Sequence, residues 1–496
     1  MTSLTLGQQR VYEARPLPSP SMSLVSDLEQ LLGADRVLHE PVELYLYSKD
    51  ASSLVRGQPN CVVFPRTTEE VAEIVKLAEV HSAPVVARGA GTGLTAGASP
   101  TEGGIVVSTT SLNTVDIDPE NSSAWVGAGV INLDLTRAAA PFGLQFAPDP
   151  SSQSACTVGG NVANNSGGPH CLAEGSTTSH ILGLEVVLAG GEVMVLGGLA
   201  PDTPGLDLKG LIVGSEGTLG VVTRALVRLI PVDPDVRTLL IDFDQVEDAC
   251  GTVSDIIAAG CVPAALEMMD QRMMEAVENW LQAGLPTNRA AILLVEVVGE
   301  TAGVEAEAAL IQEIALSRHS QAVRVASTEA ERQLLWKGRK SAFGAVAQLA
   351  PDYYLHDTVV PRTRLVETMR DVNEIADRHG LLLVNVFHAG DGNLHPLIAF
   401  DSSDLAIAEK VRLAGDEIVA LCIRNGGALS GEHGIGVEKR DLMKMNFNEL
   451  DLDAQARLKE TFDPRATFNP SKVLPQGSLC FDFGGVRKEV PEGAWV

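Results

Sequence analysis

The segment Arg88-Gly-Ala-Gly-Thr-Gly-Leu94 decides the fold predicted for this chain. It follows residues 84–88, an apolar run with β-branched side chains that is typical of a strand. Glycines at alternate positions allow a tight turn whose free N–H groups point in one direction, which suits a pyrophosphate. The segment does not match GxGxxG, and no clear helix follows it, so a Rossmann fold is disfavoured.

Two further glycine-rich loops follow along the chain. Pro148-Asp149-Pro150 leads into residues 157–168, TVGGNVANNSGG, and residues 214–220 read GSEGTLG. Their small side chains and free amides suit a flat heterocycle, and the glycines indicate close backbone approach. Each loop alone is explained equally well as a packing turn or a polar surface loop. Three of them between residues 89 and 220 are hard to explain as independent accidents.

These segments resemble the FAD-binding domain of the vanillyl-alcohol oxidase type. The matching stretches are residues 87–98, 148–168, 183–193 and 210–223. The resemblance implies a PCMH-type FAD-binding domain of two subdomains, and non-covalent FAD, because no histidine follows Arg88 in the first loop. The residues that it implies for FAD binding are Arg88, Gly89, Ala90, Gly91, Thr92, Gly93, Leu94, Pro148, Asp149, Thr157, Gly159, Gly160, Asn164, Gly167, Gly214, Glu216, Gly217, Gly220, Val221 and Asn469.

The predicted fold class is α+β, because strands and helices mix without regular βαβ alternation. Residues 1–54 are interpreted as a lead-in and helix, and residues 55–234 as the FAD-binding domain, with a boundary at the prolines of residues 231–234. Residues 235–420 are predicted to form an α+β substrate (cap) domain. A helical C-terminal segment, 421–475, is expected to return to the flavin site, ahead of a loose tail at 476–496.

Histidines concentrate in two short motifs, FHAGDGNLHP at residues 387–396 and SGEHGIG at residues 430–436. Two imidazoles that flank a tight turn can face one point, and a carboxylate from the second motif would complete an open metal site. Zinc is the first choice, and manganese or iron also fit. A lone histidine is more commonly a hydrogen-bonded structural residue, so it is the pair of motifs that favours a metal.

Both motifs are similar to those of the 2-hydroxy-acid branch of this family, as is FDPRATFNPSKVLP at residues 462–475. The branch includes D-lactate dehydrogenases, D-2-hydroxyglutarate dehydrogenases and the FAD subunit of glycolate dehydrogenase. The resemblance implies that His388, His395 and Glu432 bind the metal, that His433 is the base, and that hydride passes from C2 of the substrate to flavin N5. Asn469 is implied as a contact on the FAD side.

The substrate is expected to be short, with glycolate first and D-lactate second. The positions that carry polar or cationic residues in D-2-hydroxyglutarate enzymes are matched here by Phe343, Leu355 and Leu397, which would leave a second carboxylate unpaired. D-2-hydroxyglutarate or another D-2-hydroxy acid remains the alternative. Arg339 is the candidate partner of the substrate carboxylate, since guanidinium binds carboxylate in bidentate fashion. If Arg339 does not bind the substrate, we expect it to lie on a solvated face of a helix.

Charge and composition limit the partners. The net charge of −27 disfavours nucleic acid and anionic lipid. Without a run of about 18 apolar residues or an apolar signal peptide, the sequence predicts a cytoplasmic protein that reaches a membrane only through partner subunits. Seven cysteines without a CxxC motif disfavour an iron–sulfur cluster.

The reduced flavin therefore needs an electron acceptor outside this chain. The resemblance implies a second flavin-type subunit and an iron–sulfur subunit that feeds quinone, with oxygen or a soluble acceptor as the alternative.

Three other functions are compatible with parts of the sequence. A metal hydrolase without flavin leaves the glycine loops unexplained, and a flavin reductase of cell-wall precursor synthesis gives the His/Glu set no role. A non-catalytic flavin-binding subunit would bind FAD without reacting with 2-hydroxy acids.

Overall fold

The computed structural model describes residues 22–52, 55–200 and 204–475. The predicted lead-in at residues 1–21 and the predicted tail at residues 476–496 lie outside the described residues. The described chain mixes helices and sheets as the α+β prediction requires.

The first subdomain is a small sheet in the order β1-β2-β4-β3, in which β2, β3 and β4 run parallel. Helices α1 and α3 bury their apolar faces against it, and Thr67 caps α3 by accepting a hydrogen bond from the Glu70 N–H. Its elements are α1 (Met22–Leu32), β1 (Val37–Leu38), α2 (Pro41–Tyr45), β2 (Cys61–Val63), α3 (Thr68–Val80), β3 (Val85–Arg88) and β4 (Ile105–Ser108).

The second subdomain is an antiparallel sheet in the order β5-β6-β10-β8-β9, with α4 and α5 packed against one face. The glycine-rich loops leave from the strands and helices of these two subdomains. The elements are β5 (Val115–Asp118), β6 (Ser123–Gly127), α4 (Asn132–Ala139), β7 (Leu144–Gln145), α5 (Val158–Asn164), α6 (Cys171–Glu174), β8 (Ile181–Val187), β9 (Val193–Gly197), α7 (Leu208–Ile212), β10 (Val221–Arg228) and β11 (Ile230–Pro231). The predicted two-subdomain FAD-binding architecture is confirmed.

The cap domain is built on a long sheet whose path runs β15-β12-β14-β13-β18-β19-β17, with β20 joining β18 to β16. Apolar residues at alternate positions face two separate cores: Leu239 and Ile241 lie in one, and Leu240 lies in the other. The elements are β12 (Asp235–Phe243), α8 (Val246–Ala258), β13 (Ala265–Asp270), α9 (Gln271–Leu281), β14 (Ala291–Gly299), α10 (Thr301–Ser317), β15 (Ala322–Val325), α11 (Glu329–Lys340), α12 (Ala342–Ala345), β16 (Asp352–Leu355), β17 (Thr358–Val359), α13 (Leu365–His379), β18 (Leu382–His388), β19 (Asn393–Leu394), β20 (Pro396–Phe400) and α14 (Leu405–Arg424).

The C-terminal segment is helical only in part, at α15 (Met443–Asn446) and α16 (Glu449–Phe462). Residues 425–439 form a loop instead of the expected helix, because Gly426, Gly434 and Gly436 adopt positive φ angles that end helical geometry. The segment then returns to the first subdomain, where the backbone on either side of Phe468 hydrogen-bonds to Val85 of β3.

Candidate active site

The glycine loops of the FAD-binding domain meet around one cavity. The first and second loops touch at Gly89, where a Cβ atom would collide with the Thr157 hydroxyl, so only glycine allows this approach. Thr157 in turn caps α5 by accepting from the Gly160 N–H. Of the predicted FAD-binding residues, those that line the cavity are Arg88, Gly89, Ala90, Gly91, Thr92, Gly93, Leu94, Thr157, Gly159, Gly160, Asn164, Glu216, Gly217 and Gly220.

The remaining predicted FAD-binding residues lie outside the cavity lining and hold its walls. Asn469 ties two loops together, donating from Nδ2 to the carbonyl oxygens of Gly97 and Glu216 at 2.9 and 2.7 Å. Val221 is fully buried at the start of β10. The others are Pro148, Asp149, Gly167 and Gly214.

The cradle fits an anionic dinucleotide. Arg88 is only 8% exposed, and its Nη1 atom has no hydrogen-bond partner within the described ranges. The nearby Asp50 carboxylate offsets part of the cost of burying this guanidinium, and a phosphate beside the glycine loop would supply an acceptor for Nη1. Residues 89–94, with their free N–H groups, line the same cavity. The donor set therefore matches the pyrophosphate of FAD.

The histidine motifs place their side chains around one carboxylate. Glu432 Oε1 lies 3.3 Å from His388 Nε2 and 3.2 Å from His395 Nε2, and the three ligand atoms lie within 4.8 Å of one another. β18 ends at His388, and the tight turn to β19 and β20 brings His395 back beside it. The imidazole planes of the two histidines stand edge to face with centroids 5.1 Å apart.

This cluster fits a divalent cation. His395 is fully buried, and neither ring nitrogen forms a hydrogen bond with any part of the chain that the structure describes. Two imidazoles and one carboxylate form a donor set typical of zinc, manganese or iron sites. Asp357, His395 and His433 form a second set of close ligand atoms. The Asp357 carboxylate, however, is already occupied by hydrogen-bond donors.

Asp357 fixes the loop that carries Glu432. Its carboxylate accepts hydrogen bonds from the backbone N–H groups of Gly431 and His433 at 3.0 Å and from the Ser430 hydroxyl at 2.6 Å. The Lys439 ammonium lies 3.3 Å from the same carboxylate. Burial alone would raise the pKa of Asp357, but Lys439 and the neighbouring imidazoles of His433 and His395 outweigh burial and hold the pKa far below its usual range.

His433 lines the same cavity as the glycine loops. Its carbonyl oxygen accepts from Asn164 Nδ2 at 2.8 Å, so the FAD-binding domain helps to position it. Its ring stacks on that of His395 with centroids 5.0 Å apart. Burial lowers the pKa of His433 to about 4, which keeps its imidazole neutral near physiological pH. Glu216, from the third glycine loop, also holds the loop that carries His433, because its carboxylate accepts hydrogen bonds from the N–H groups of Ile435 and Gly436.

Arg339 is a core residue and not part of a solvated helix face. It is fully buried, and its Nε atom donates to Glu267 Oε2 at 2.7 Å. The other oxygen of Glu267 accepts from His388 Nδ1 at 2.7 Å. The Nη1 atom of Arg339 has no hydrogen-bond partner in the described chain.

The cavity wall near the histidines is largely apolar. Phe343 and Leu355 line it as expected, but Leu397 is fully buried and pairs with Leu355 across β20 and β16. Tyr353 and Lys340 also line the cavity and were not anticipated from the sequence. The Lys340 ammonium lies 3.4 Å from the Asp149 carboxylate, which His170 also contacts at 3.0 Å.

Sequence reasoning also missed Glu267 and Asp357. Both are charged residues buried beside the metal-ligand candidates. Glu267 stands inside the apolar run of β13, and Asp357 lies between β16 and β17, directly before Thr358. A carboxylate within a buried strand is costly unless it is paired, and that signal could have marked both positions.

Comparison with known proteins places this site in a family. Residues 59–197 match the family described as "FAD binding domain", and residues 232–473 match "FAD linked oxidases, C-terminal domain". The chain is 41% identical to "Glycolate oxidase subunit GlcD" of Escherichia coli (strain K12), over 97% of each chain. It is 37% identical to "D-lactate dehydrogenase" of Archaeoglobus fulgidus, over 83% of this chain and 91% of that protein.

The solved structure of p-cresol methylhydroxylase has the same fold, with a TM-score of 0.77 at 17% identity over 91% of this chain and 96% of that chain. Fold and cavity together define an FAD-dependent oxidoreductase. The chain belongs to the family of FAD-linked oxidases, in its 2-hydroxy-acid dehydrogenase branch. None of the helices in the described ranges is long and apolar enough to cross a membrane.

Proposed function

We propose that this protein oxidises a short 2-hydroxy acid, glycolate first and D-lactate second, to the 2-oxo acid. One observation carries the proposal: Glu432 and His433 line the cavity formed by the glycine loops, and His388 and His395 adjoin Glu432. When bound, FAD supplies the acceptor for the C2 hydride, and a divalent cation, zinc first, supplies a Lewis acid for the hydroxyl group.

The chain's own residues bind the substrate and move its proton. His433 Nε2 accepts the hydroxyl proton, for which its neutral, partly accessible ring in the cavity is suited. Arg339 is proposed to bind the substrate carboxylate through Nη1, which has no partner among the described residues, although the side chain is buried behind the residues that line the cavity. Phe343 and Leu355 exclude water and disfavour a second carboxylate.

We infer non-covalent FAD and electron transfer to partner subunits, a second flavin-type subunit and an iron–sulfur subunit that feeds quinone. The description of the relative from Escherichia coli as a subunit supports this inference. Of the cysteines in the described ranges, Cys61, Cys156, Cys250, Cys261 and Cys422 are buried. The isolated protein should reduce an artificial dye but should reduce quinone only when those partners are added.

An anaerobic flavin-bleaching panel tests the proposed reaction. The purified protein should absorb at about 450 nm. This absorbance should bleach faster with glycolate or D-lactate than with L-lactate or D-2-hydroxyglutarate. Removing metal with a chelator should slow bleaching, and adding Zn²⁺ or Mn²⁺ should restore it. Bleaching by D-2-hydroxyglutarate alone would change the substrate assignment. A metal-loaded yellow protein that no 2-hydroxy acid bleaches would be a non-catalytic flavin-binding subunit.

A further inference from the structure

Glu267 connects two parts of the candidate active site that lie far apart in the sequence. In the register of β13 and β18, Glu267 stands directly opposite His388, so both side chains project from the same face of the sheet. Glu267 is 1% exposed within a strand whose other residues, apart from the terminal Asp270, are apolar. Strand packing does not require a carboxylate there.

Each oxygen of Glu267 has a different partner. Oε1 lies 2.7 Å from His388 Nδ1. Oε2 accepts a hydrogen bond from Arg339 Nε at 2.7 Å, and Arg339 Nη2 lies 2.6 Å from the same oxygen. The residue is therefore a carboxylate shared between a histidine and a guanidinium.

That contact would determine which nitrogen of His388 is offered to a cation. An imidazole that donates from Nδ1 to a carboxylate keeps its proton there and presents the lone pair of Nε2. His388 Nε2 lies 3.3 Å from Glu432 Oε1, on the side where the ligand atoms converge. The same carboxylate fixes the angle of the Arg339 guanidinium, whose Nη1 atom stays unpartnered among the described residues.

We propose that Glu267 is a positioning residue that sets the tautomer of His388 and the orientation of Arg339 with one carboxylate. The metal and the substrate carboxylate are thereby held at a fixed separation. The proposal rests on the proposed function in that His388 binds the cation and Arg339 binds the substrate.

Glutamine cannot replace this carboxylate although its shape is the same. Its single carbonyl oxygen can accept from His388 or from Arg339, and its NH₂ group then faces the remaining N–H donor. If the NH₂ group faces His388, the ring must carry its proton on Nε2, which excludes a cation there. E267Q should therefore bind Zn²⁺ about 10–100-fold more weakly, as removal of such an outer carboxylate does elsewhere.

The test is Zn²⁺ affinity of the FAD-loaded protein, measured by competition with a chromophoric chelator. The matched control is D270N. Asp270 also joins β13 to β18, accepting from the backbone N–H and the side-chain Nδ2 of Asn385 at 2.7 and 2.9 Å, but it does not contact His388. D270N should keep wild-type Zn²⁺ affinity, and both variants should keep FAD. E267Q should also raise the KM of the substrate, because Arg339 loses its anchor.

Each outcome decides a separate question. Wild-type Zn²⁺ affinity in E267Q, with binding lost in H388N, would overturn the positioning role and leave the proposed function intact. No Zn²⁺ binding by the wild type would overturn the metal site itself. If E267Q does not fold, E267D replaces it: a shorter carboxylate should weaken Zn²⁺ binding less than a glutamine, and an unchanged affinity would again overturn the proposal.

Discussion

The side chain and the backbone of His433 have separate tasks. The backbone N–H and carbonyl are held by Asp357 and Asn164, whereas the imidazole faces the cavity. A substitution that removes only the ring should therefore leave the loop in place. This separation makes residue 433 a direct test of the proposed base.

We expect H433N to lower the rate of anaerobic flavin reduction by about 10²–10⁴-fold, the usual contribution of a general base. FAD content should stay at the wild-type level because the backbone contacts persist. Stopped-flow spectroscopy measures the rate. H379N, which alters a remote contact with Glu417, serves as the control and should behave like the wild type. A rate close to wild type in H433N would remove this residue from the role of base.

The pH dependence follows from the same environment. Burial lowers the pKa of His433 from 6.5 to about 4, so the ring stays neutral and able to accept a proton until the pH falls towards that value. The rate of flavin reduction should therefore fall only at pH values below the ordinary pKa range of histidine. A profile of rate against pH from 4 to 8 measures this, and an acid limb centred near 6.5 would contradict it.

At the scale of elements, the loop at residues 430–436 is held from two sides. The cap domain holds it through Asp357, and the FAD-binding domain holds it through Asn164 and Glu216. A glycine-rich segment has high conformational entropy when free, so these hydrogen bonds are what fix the position of Glu432. The candidate metal site and the cavity of the glycine loops are thus coupled by one loop.

D357N should lower the free energy of unfolding by about 3–5 kcal/mol, because it leaves the buried Lys439 without its ionic partner. It should also weaken Zn²⁺ binding, since the loop that carries Glu432 loses its charged acceptor. Urea denaturation of the FAD-loaded protein measures the first effect. D401N, at an exposed turn, is the control and should change stability by less than about 0.5 kcal/mol. Wild-type values for D357N would show that the loop is fixed by other contacts.

At the scale of the whole molecule, His170 joins the FAD-binding domain to the cap domain. Its Nδ1 atom lies 3.0 Å from Asp149 of the second glycine loop, and Nε2 lies 3.5 Å from Glu296 of β14. Burial lowers the pKa of His170, but Asp149 and Glu296 outweigh burial and raise the pKa to about 10. The imidazolium therefore stabilises the contact between domains.

The sign of the pH effect follows from that raised pKa. The stabilisation is complete below the unfolded pKa of 6.5 and is lost as the pH rises towards about 10. H170Q should be less stable than the wild type by about 1–3 kcal/mol at pH 6, and the difference should shrink at pH 10. Urea denaturation at both pH values measures it. An equal difference at the two pH values would show that the charge of His170 does not contribute.

Features that depend on local chemistry could be predicted from the sequence alone. The glycine loops, the metal-ligand candidates His388, His395 and Glu432, and the α+β class all follow from residue type and short-range spacing. Glycine is needed wherever the backbone approaches closely, as at Gly89 against Thr157, and that requirement can be read from one segment.

The identity of the distant residues that share the site could be read only from the folded chain. Glu267 meets His388 across 121 residues and Arg339 across 72, through a strand register that no local pattern encodes. A shift of one residue in that register would turn Glu267 to the opposite face of the sheet. Side-chain partners in a sheet are set by pairing over long separations, and the energy of that pairing comes from the whole folded domain.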